Sequence, residues 1–250
     1  MDITFNGKTA LVTGAGSGIG EAIAMGLAAS GARVVVQDLK LDAAERVAKS
    51  ITQAGGTVRA AAGDVSDAAT VEALVAEAAN WQGGLQLLVN NAGIGGPLAP
   101  TGDYPLDGWR HVIDVNLNGV FYGMRYAIPE MLKAGGGAIV NIASILGSVG
   151  FANASAYTAA KHGVVGLTRA AALEYSAKGI RVNAIGPAFI DTPLLSALPP
   201  DAKAGLVAAH PIGRLGRSAE VADLTQYLLS DRASFVTGSY HLVDGAYCAQ

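Results

Sequence analysis

TALVTGAGSGIG, residues Thr9–Gly20, decides how the chain folds. A short apolar run, Thr9–Thr13, passes through a glycine-rich turn straight into helix-forming sequence. Gly14, Gly18 and Gly20 stand in a G-x3-G-x-G spacing, not the commoner G-x-G-x-x-G. Glycines in such a turn allow a sharp reversal and let backbone approach a pyrophosphate. The free N–H groups and positive dipole end of the following helix then face the anion. With 33 glycines in 250 residues, glycine-rich text alone is a weak signal. Its place at the first strand–helix junction gives it weight, and Gly14, Ser17, Gly18, Ile19 and Gly20 are expected to bind a nucleotide.

Outward from that turn the same alternation continues. Candidate strands are Thr9–Thr13, Arg33–Asp38, Thr57–Ala61, Leu85–Asn90, Gly137–Ile142, Arg181–Ile185 and Tyr240–Val243. Candidate helices lie near Gly18–Ser30, Leu41–Ala54, Asp67–Trp81, Leu106–Lys133, Ala154–Lys178 and Ser218–Leu229. Strands separated by helices of that length read as βαβ units. Nearly continuous apolar runs suit strands buried on both faces. The fold class is α/β: one doubly wound, Rossmann-type domain over residues 1–250 with a mostly parallel seven-stranded sheet.

Composition narrows the function classes. Apolar residues make up 51% and charged residues 15%, enough for a sizeable core and too little charge for disorder. A net charge of −3 leaves no basic footprint for nucleic acid. No apolar run approaches the roughly 20 residues of a membrane span, and MDITFNGKTALVTG has no basic region followed by an apolar stretch and cleavage site. The single cysteine, Cys248, cannot form an internal disulfide, and no Cys/His cluster has metal-site spacing. These features point to a cytoplasmic protein without metal, nucleic-acid or membrane partners.

The second strand, RVVVQD, ends at Asp38. A carboxylate there can accept hydrogen bonds from both ribose hydroxyls of an adenosine and repels a 2′-phosphate. Neighbouring Gln37 and Leu39 offer no cation to reverse that, so NAD(H) is favoured over NADP(H). Far along the chain, Tyr157 and Lys161 stand four residues apart in an Ala-rich helical stretch, which stacks them on one face. A phenol, with an ordinary pKa of about 10, beside a fixed ammonium makes a general acid/base. Ser144 can bring a hydroxyl to the same substrate oxygen. Such pairs also arise as surface contacts, so the pair gains meaning only from the rest of the chain.

Thr13–Gly20, Asp64-Val65, Asn90-Asn91-Ala92-Gly93, Asn116, Ser144, Tyr157 with Lys161, and Asn183–Thr192 follow one another in an order that resembles the short-chain dehydrogenase/reductases. The resemblance runs from about residue 5 to the C-terminus. Within the family, ASILGSVGFANASAY (Ala143–Tyr157), NLNGVFYGM (Asn116–Met124) and the tail from Ser234 look most like bacterial NAD(H)-dependent secondary-alcohol dehydrogenases that reduce ketones.

The resemblance implies catalysis by Asn116, Ser144, Tyr157 and Lys161. It implies hydride exchange between a nicotinamide and a small-molecule carbonyl or secondary alcohol. Asp64 and Val65 would meet the adenine, and Asn91, Ala92 and Gly93 would close the nucleotide site. Lys161 would serve both the phenol and the nicotinamide ribose. Asn116 would distort its helix so that a carbonyl can hold a water relay. Pro187, Ile190 and Thr192 would meet the carboxamide, although Ala188 stands where the family usually has Gly. The substrate pocket is expected to comprise Ile94, Gly95, Gly96, Ile145, Leu146, Ala154, Phe189, Leu194 and Leu195, with a lid over residues 189–210. Its apolar character suits a hydrophobic ketone. A 3-oxoacyl thioester, a polyol or a catalytically silent nucleotide sensor are the alternatives. Relatives are usually homotetramers, and some that end in Gln, as Gln250 does here, hold a metal at the terminal carboxylate.

Overall fold

The structure, a computed structural model, describes residues 3–192, 195 and 199–249. Seven strands form one sheet: β1 (Thr9–Val12), β2 (Arg33–Asp38), β3 (Thr57–Ala62), β4 (Leu87–Asn90), β5 (Gly137–Ile142), β6 (Ile180–Pro187) and β9 (Tyr240–Val243). Their order is β3-β2-β1-β4-β5-β6-β9, and every pairing is parallel. The helices are α1 (Gly18–Ala29), α2 (Leu41–Gln53), α3 (Ala68–Ala79), α4 (Leu106–Ile113), α5 (Gly119–Lys133), α6 (Ser155–Tyr175), α7 (Pro200–Ala208) and α8 (Ser218–Leu229). A two-residue pair, β7 (Ile190–Asp191) with β8 (Gly216–Arg217), lies apart from the main sheet.

Alternate strand residues feed two cores, one on each side of the sheet. Ala10, Val12, Val34 and Val36 join Ile23 and Leu27 of α1, Val47 and Ile51 of α2, and Val221 and Leu228 of α8. Leu11, Val35, Leu88 and Ile139 join Leu74 of α3, Met124 and Met131 of α5, and Val164 of α6. Each fully buried aliphatic side chain contributes about 1.5–3 kcal/mol over exposure. The seven expected strands and six expected helical regions are all present, with ends shifted by at most three residues.

The expected helix Leu106–Lys133 is divided between α4 and α5 by a π-helical turn, Asp114–Asn118, which is the helix distortion expected at Asn116. The strand pair β7–β8 and helix α7 have no expected counterpart. They lie in a stretch whose sequence shows no clear apolar period, and β7–β8 exists only through pairing of residues 26 apart in sequence (Ile190 with Gly216). Among the described residues no helix is long and apolar enough to cross a membrane.

Because strand order reverses between β1 and β4, the crevice outside their C-terminal ends is where an open α/β sheet takes a ligand. The glycine turn sits there.

Candidate active site

A cavity of about 370 Å³ opens at this switch point. Gly14, Ser17, Gly18, Ile19, Gly20, Asp38, Leu39, Asp64, Val65, Asn91, Ala92, Gly93, Ile94 and Thr192 all line it. The turn is held by polar contacts from Thr13 and Asn91. The Thr13 hydroxyl accepts the N–H groups of Asn91 (3.0 Å) and Ala92 (3.1 Å). The Asn91 amide donates to the carbonyls of Thr13 and Gly14, both at 2.9 Å. Asn91 therefore braces the turn with its side chain rather than offering it to a ligand. Gly14 adopts φ +59°, and a Cβ there would lie 2.7 Å from the Ala92 Cα, so the close approach of the two loops requires glycine.

These residues fit a dinucleotide. Ser17, the N-cap of α1, makes no capping bond with its own side chain, so its hydroxyl is not spent on the helix N-terminus. At the far end, Asp38 takes the Gly16 N–H at 2.9 Å and the Lys40 N–H at 3.3 Å, which fixes its carboxylate on the cavity wall. Arg46, one of two nearby cations with the exposed Lys40, is engaged by the Gly16 carbonyl (2.7 Å) and by both Glu21 oxygens (2.9 and 2.7 Å). Asp64 turns one oxygen onto Ser66, accepting its N–H at 2.8 Å and its hydroxyl at 2.7 Å.

Past Gly93 the cavity meets the residues with acid/base chemistry. A Cβ on Gly93 would lie 3.0 Å from Asn116 Oδ1 and 3.7 Å from Lys161 Nζ, so all three converge. Asn116, fully buried in the π-turn, clasps Ile94: Oδ1 accepts its N–H at 2.8 Å and Nδ2 donates to its carbonyl at 2.7 Å. It is no solvated surface amide. Lys161, 3% exposed, donates to the Ile142 carbonyl at 2.8 Å and lies 5.4 Å from the Tyr157 ring centroid. Ser144, two residues past the end of β5, accepts the Leu146 N–H on its hydroxyl at 3.2 Å and lies close enough to the Tyr157 phenol to lower its pKa.

The electrostatics differ from the sequence expectation in one respect. The neighbouring ammonium was expected to pull the phenol down. Instead burial raises the Tyr157 phenol, and the nearby Ser144 hydroxyl only partly offsets it. Burial also drops the Lys161 ammonium to about 8. Both groups are taken out of water, and desolvation outweighs their mutual attraction.

The expected substrate wall is assembled in part. Ile145, Leu146 and Ala154 are buried, and Ala154 is bridged to Ala99 of the loop that follows Gly93. Phe189 meets Phe151, His210 and Tyr247, ring centroids 6.3, 5.8 and 6.0 Å away. Gly96 differs: at φ +74° its α-carbon faces α4, where a Cβ would lie 2.3 Å from Val112. Ile190 packs its side chain into the core cluster that includes α8 and does not line the cavity. Pro187 ends β6, and Ala188 donates to the Val243 carbonyl at 3.1 Å without a left-handed φ, so the missing Gly costs no strain. Leu195 donates its N–H to the Thr192 carbonyl at 3.0 Å. Leu194 and Gln250 lie outside the described residues.

Sequence reasoning missed Gln37, Gly63, His111 and Val115, which also line the cavity. Gln37 bridges the Gly14 N–H (3.3 Å) and the Gly63 carbonyl (2.7 Å). His111 and Val115 stand four apart just before Asn116, a helical spacing that carried the signal.

Comparison with known proteins agrees with this geometry. A family model described as enoyl-(acyl carrier protein) reductase matches residues 14–247. A cyclohexanol dehydrogenase from Acinetobacter sp. (strain SE19) is 52% identical, covering 100% of this chain and 98% of that protein. A cis-4-hydroxycyclohexanecarboxylate dehydrogenase from Sinomonas cyclohexanicum is 48% identical over 100% of both. A solved structure from Agrobacterium tumefaciens, described as a 2-deoxy-D-gluconate 3-dehydrogenase with bound NADP, superposes with a TM-score of 0.92 at 38% identity, covering 100% of this chain and 99% of that one. The chain belongs to the short-chain dehydrogenase/reductase family and is an alcohol dehydrogenase that uses a nicotinamide cofactor.

Proposed function

We propose that the protein interconverts an apolar alicyclic secondary alcohol and its ketone, using NAD(H) in preference to NADP(H). The observation that carries this reading is the convergence of Ser144, Tyr157 and Lys161 beside Gly93, where the nucleotide cavity meets an apolar wall. When bound, the nicotinamide ring supplies or takes up the hydride. Tyr157 gives the proton to the substrate oxygen in reduction and takes it back in oxidation. Ser144 holds that oxygen in line with the phenol. Lys161, fixed by the Ile142 carbonyl, stabilises the phenolate and reaches the ribose beside Gly93. Asn116, through Ile94 and the π-turn, keeps the loop and the relay carbonyl in register.

The cofactor preference rests on Asp38. Its carboxylate is held on the cavity wall at the end of β2 by the Gly16 N–H, where it would accept ribose hydroxyls and repel a 2′-phosphate. The nearby Arg46 is already paired with Glu21. The NADP in the Agrobacterium structure belongs to that protein.

For the substrate, Ile145, Leu146, Ala154 and Phe189 offer no cation to a carboxylate or phosphate, and the rings of Phe151 and Phe189 offer flat apolar contact. Two relatives are named for six-membered alicyclic alcohols. Side-by-side kinetics on cyclohexanol, a polyol and a 3-oxoacyl thioester, each with NAD(H) and NADP(H), test the reading. Preference for cyclohexanol with NAD supports it; preference for the thioester or the polyol contradicts it.

The same reading takes residues 1–250 as one domain, residues 189–210 as a lid, and the assembly as a homotetramer. Exposed Phe121 on α5, Leu173 on α6 and Phe235 before β9 are the apolar surface that self-association would cover. Sedimentation equilibrium tests it.

A further inference from the structure

Tyr240 opens β9, the edge strand, opposite Ala184 of β6. Its phenol lies across the strand end and donates a hydrogen bond to the Ser144 carbonyl. That carbonyl also takes the Gly147 N–H at 2.9 Å, while the Ser144 hydroxyl takes the Leu146 N–H at 3.2 Å. The phenol is admitted by glycine. A Cβ on Gly186 would lie 2.3 Å from the Tyr240 hydroxyl and 2.6 Å from its ring, and one on Gly147 would lie 3.3 Å from the hydroxyl. Ser148, whose hydroxyl donates to the Ile145 carbonyl at 3.1 Å, lies close enough to the Tyr240 phenol and the Cys248 thiol to lower the pKa of each. Asp244 in turn accepts the N–H groups of Ala246 (3.1 Å) and Cys248 (2.9 Å).

We infer that Tyr240 is a positioning residue for Ser144: its hydroxyl fixes the turn that aims the serine hydroxyl at Tyr157, and ties that turn to the C-terminal segment 244–248. Burial pushes the Tyr240 phenol up to about 12, so it stays a donor across the working range, as a carbonyl acceptor requires. Gly147 alone leaves the Ser144 carbonyl free to pivot. A displacement of a fraction of an ångström in the serine hydroxyl is enough to slow proton transfer.

This rests on the role proposed above for Ser144, and a double-mutant cycle separates the two. Tyr240→Phe keeps the ring and removes only the hydroxyl. The expected result is a fall in kcat of about tenfold, with the Kd for NADH, read by fluorescence, changed less than about twofold and the melting temperature nearly unchanged. In a Ser144→Ala background the same change should alter kcat less than about twofold. Gly186→Ala, which presses a Cβ onto the hydroxyl, is a second route to the same displacement and should show the same background dependence. A wild-type kcat in Tyr240→Phe, or equal losses with and without Ser144, overturns the inference alone. Full activity in Ser144→Ala overturns both it and the reading of the site.

Discussion

Asn116 holds both backbone polar groups of Ile94, accepting its N–H at 2.8 Å and donating to its carbonyl at 2.7 Å. A fully buried amide that satisfies two main-chain groups is a structural clasp, and from the π-turn it holds the loop between the nucleotide cavity and the acid/base residues. Asn116→Ala leaves both groups unpaired, at about 1–3 kcal/mol each. Thermal unfolding should report that loss, and kcat should fall with it. Asn116→Asp keeps the acceptor but sets a carboxylate against the Ile94 carbonyl. It should be no more stable than Asn116→Ala, and wild-type stability in either variant contradicts the clasp.

Lys161 makes stability depend on pH. Its ammonium is lowered from an ordinary 10.5 to about 8 by burial, so the folded state gives up the proton before the unfolded state does. Below about 8 the buried charge is a cost. As pH rises from 8 toward 10.5 the unfolded chain binds more protons than the folded one, and stability increases. Lys161→Met removes the titration. Denaturant unfolding across that range should show wild type gaining stability relative to Lys161→Met by an amount of order 1–3 kcal/mol, while Lys161→Met is inactive throughout. A constant difference between the two proteins contradicts the assignment.

The raised Tyr157 phenol gives the two directions opposite pH profiles. Ketone reduction needs the protonated phenol, which burial favours, and alcohol oxidation needs the phenolate. Oxidation should rise with pH through the alkaline range while reduction falls. Parallel profiles would show that another group carries the proton.

The proposed preference for NAD rests on the Asp38 carboxylate, which is fixed by the Gly16 N–H. Asp38→Ser should raise the ratio of kcat/KM for NADP to that for NAD by about tenfold or more, equivalent to some 1.4 kcal/mol. An unchanged ratio would place the discrimination elsewhere.

Much of this was legible in sequence because it is local. The seven strands are compact apolar runs, and Gly14–Gly20, Asp38, Ser144 and the Tyr157–Lys161 spacing all fall at strand ends or on one helix face. What escaped depends on distant partners. Tyr240 reaches a carbonyl 96 residues away, which no periodicity encodes. Asn91 lines the cavity and also braces the glycine turn, and Gly96 makes room for Val112. The π-turn at Asp114–Asn118 was invisible to helical periodicity, since one extra residue in a helix leaves the pattern on either side intact.

The central claim is that Tyr157 carries the proton for nicotinamide-linked oxidation of an alicyclic secondary alcohol. The direct measurement is NADH formation from cyclohexanol and NAD by wild type and Tyr157→Phe, with NADH affinity of both read by fluorescence. Wild type should turn over, and Tyr157→Phe should lose nearly all activity while binding NADH as before. Substantial turnover by Tyr157→Phe would contradict the claim.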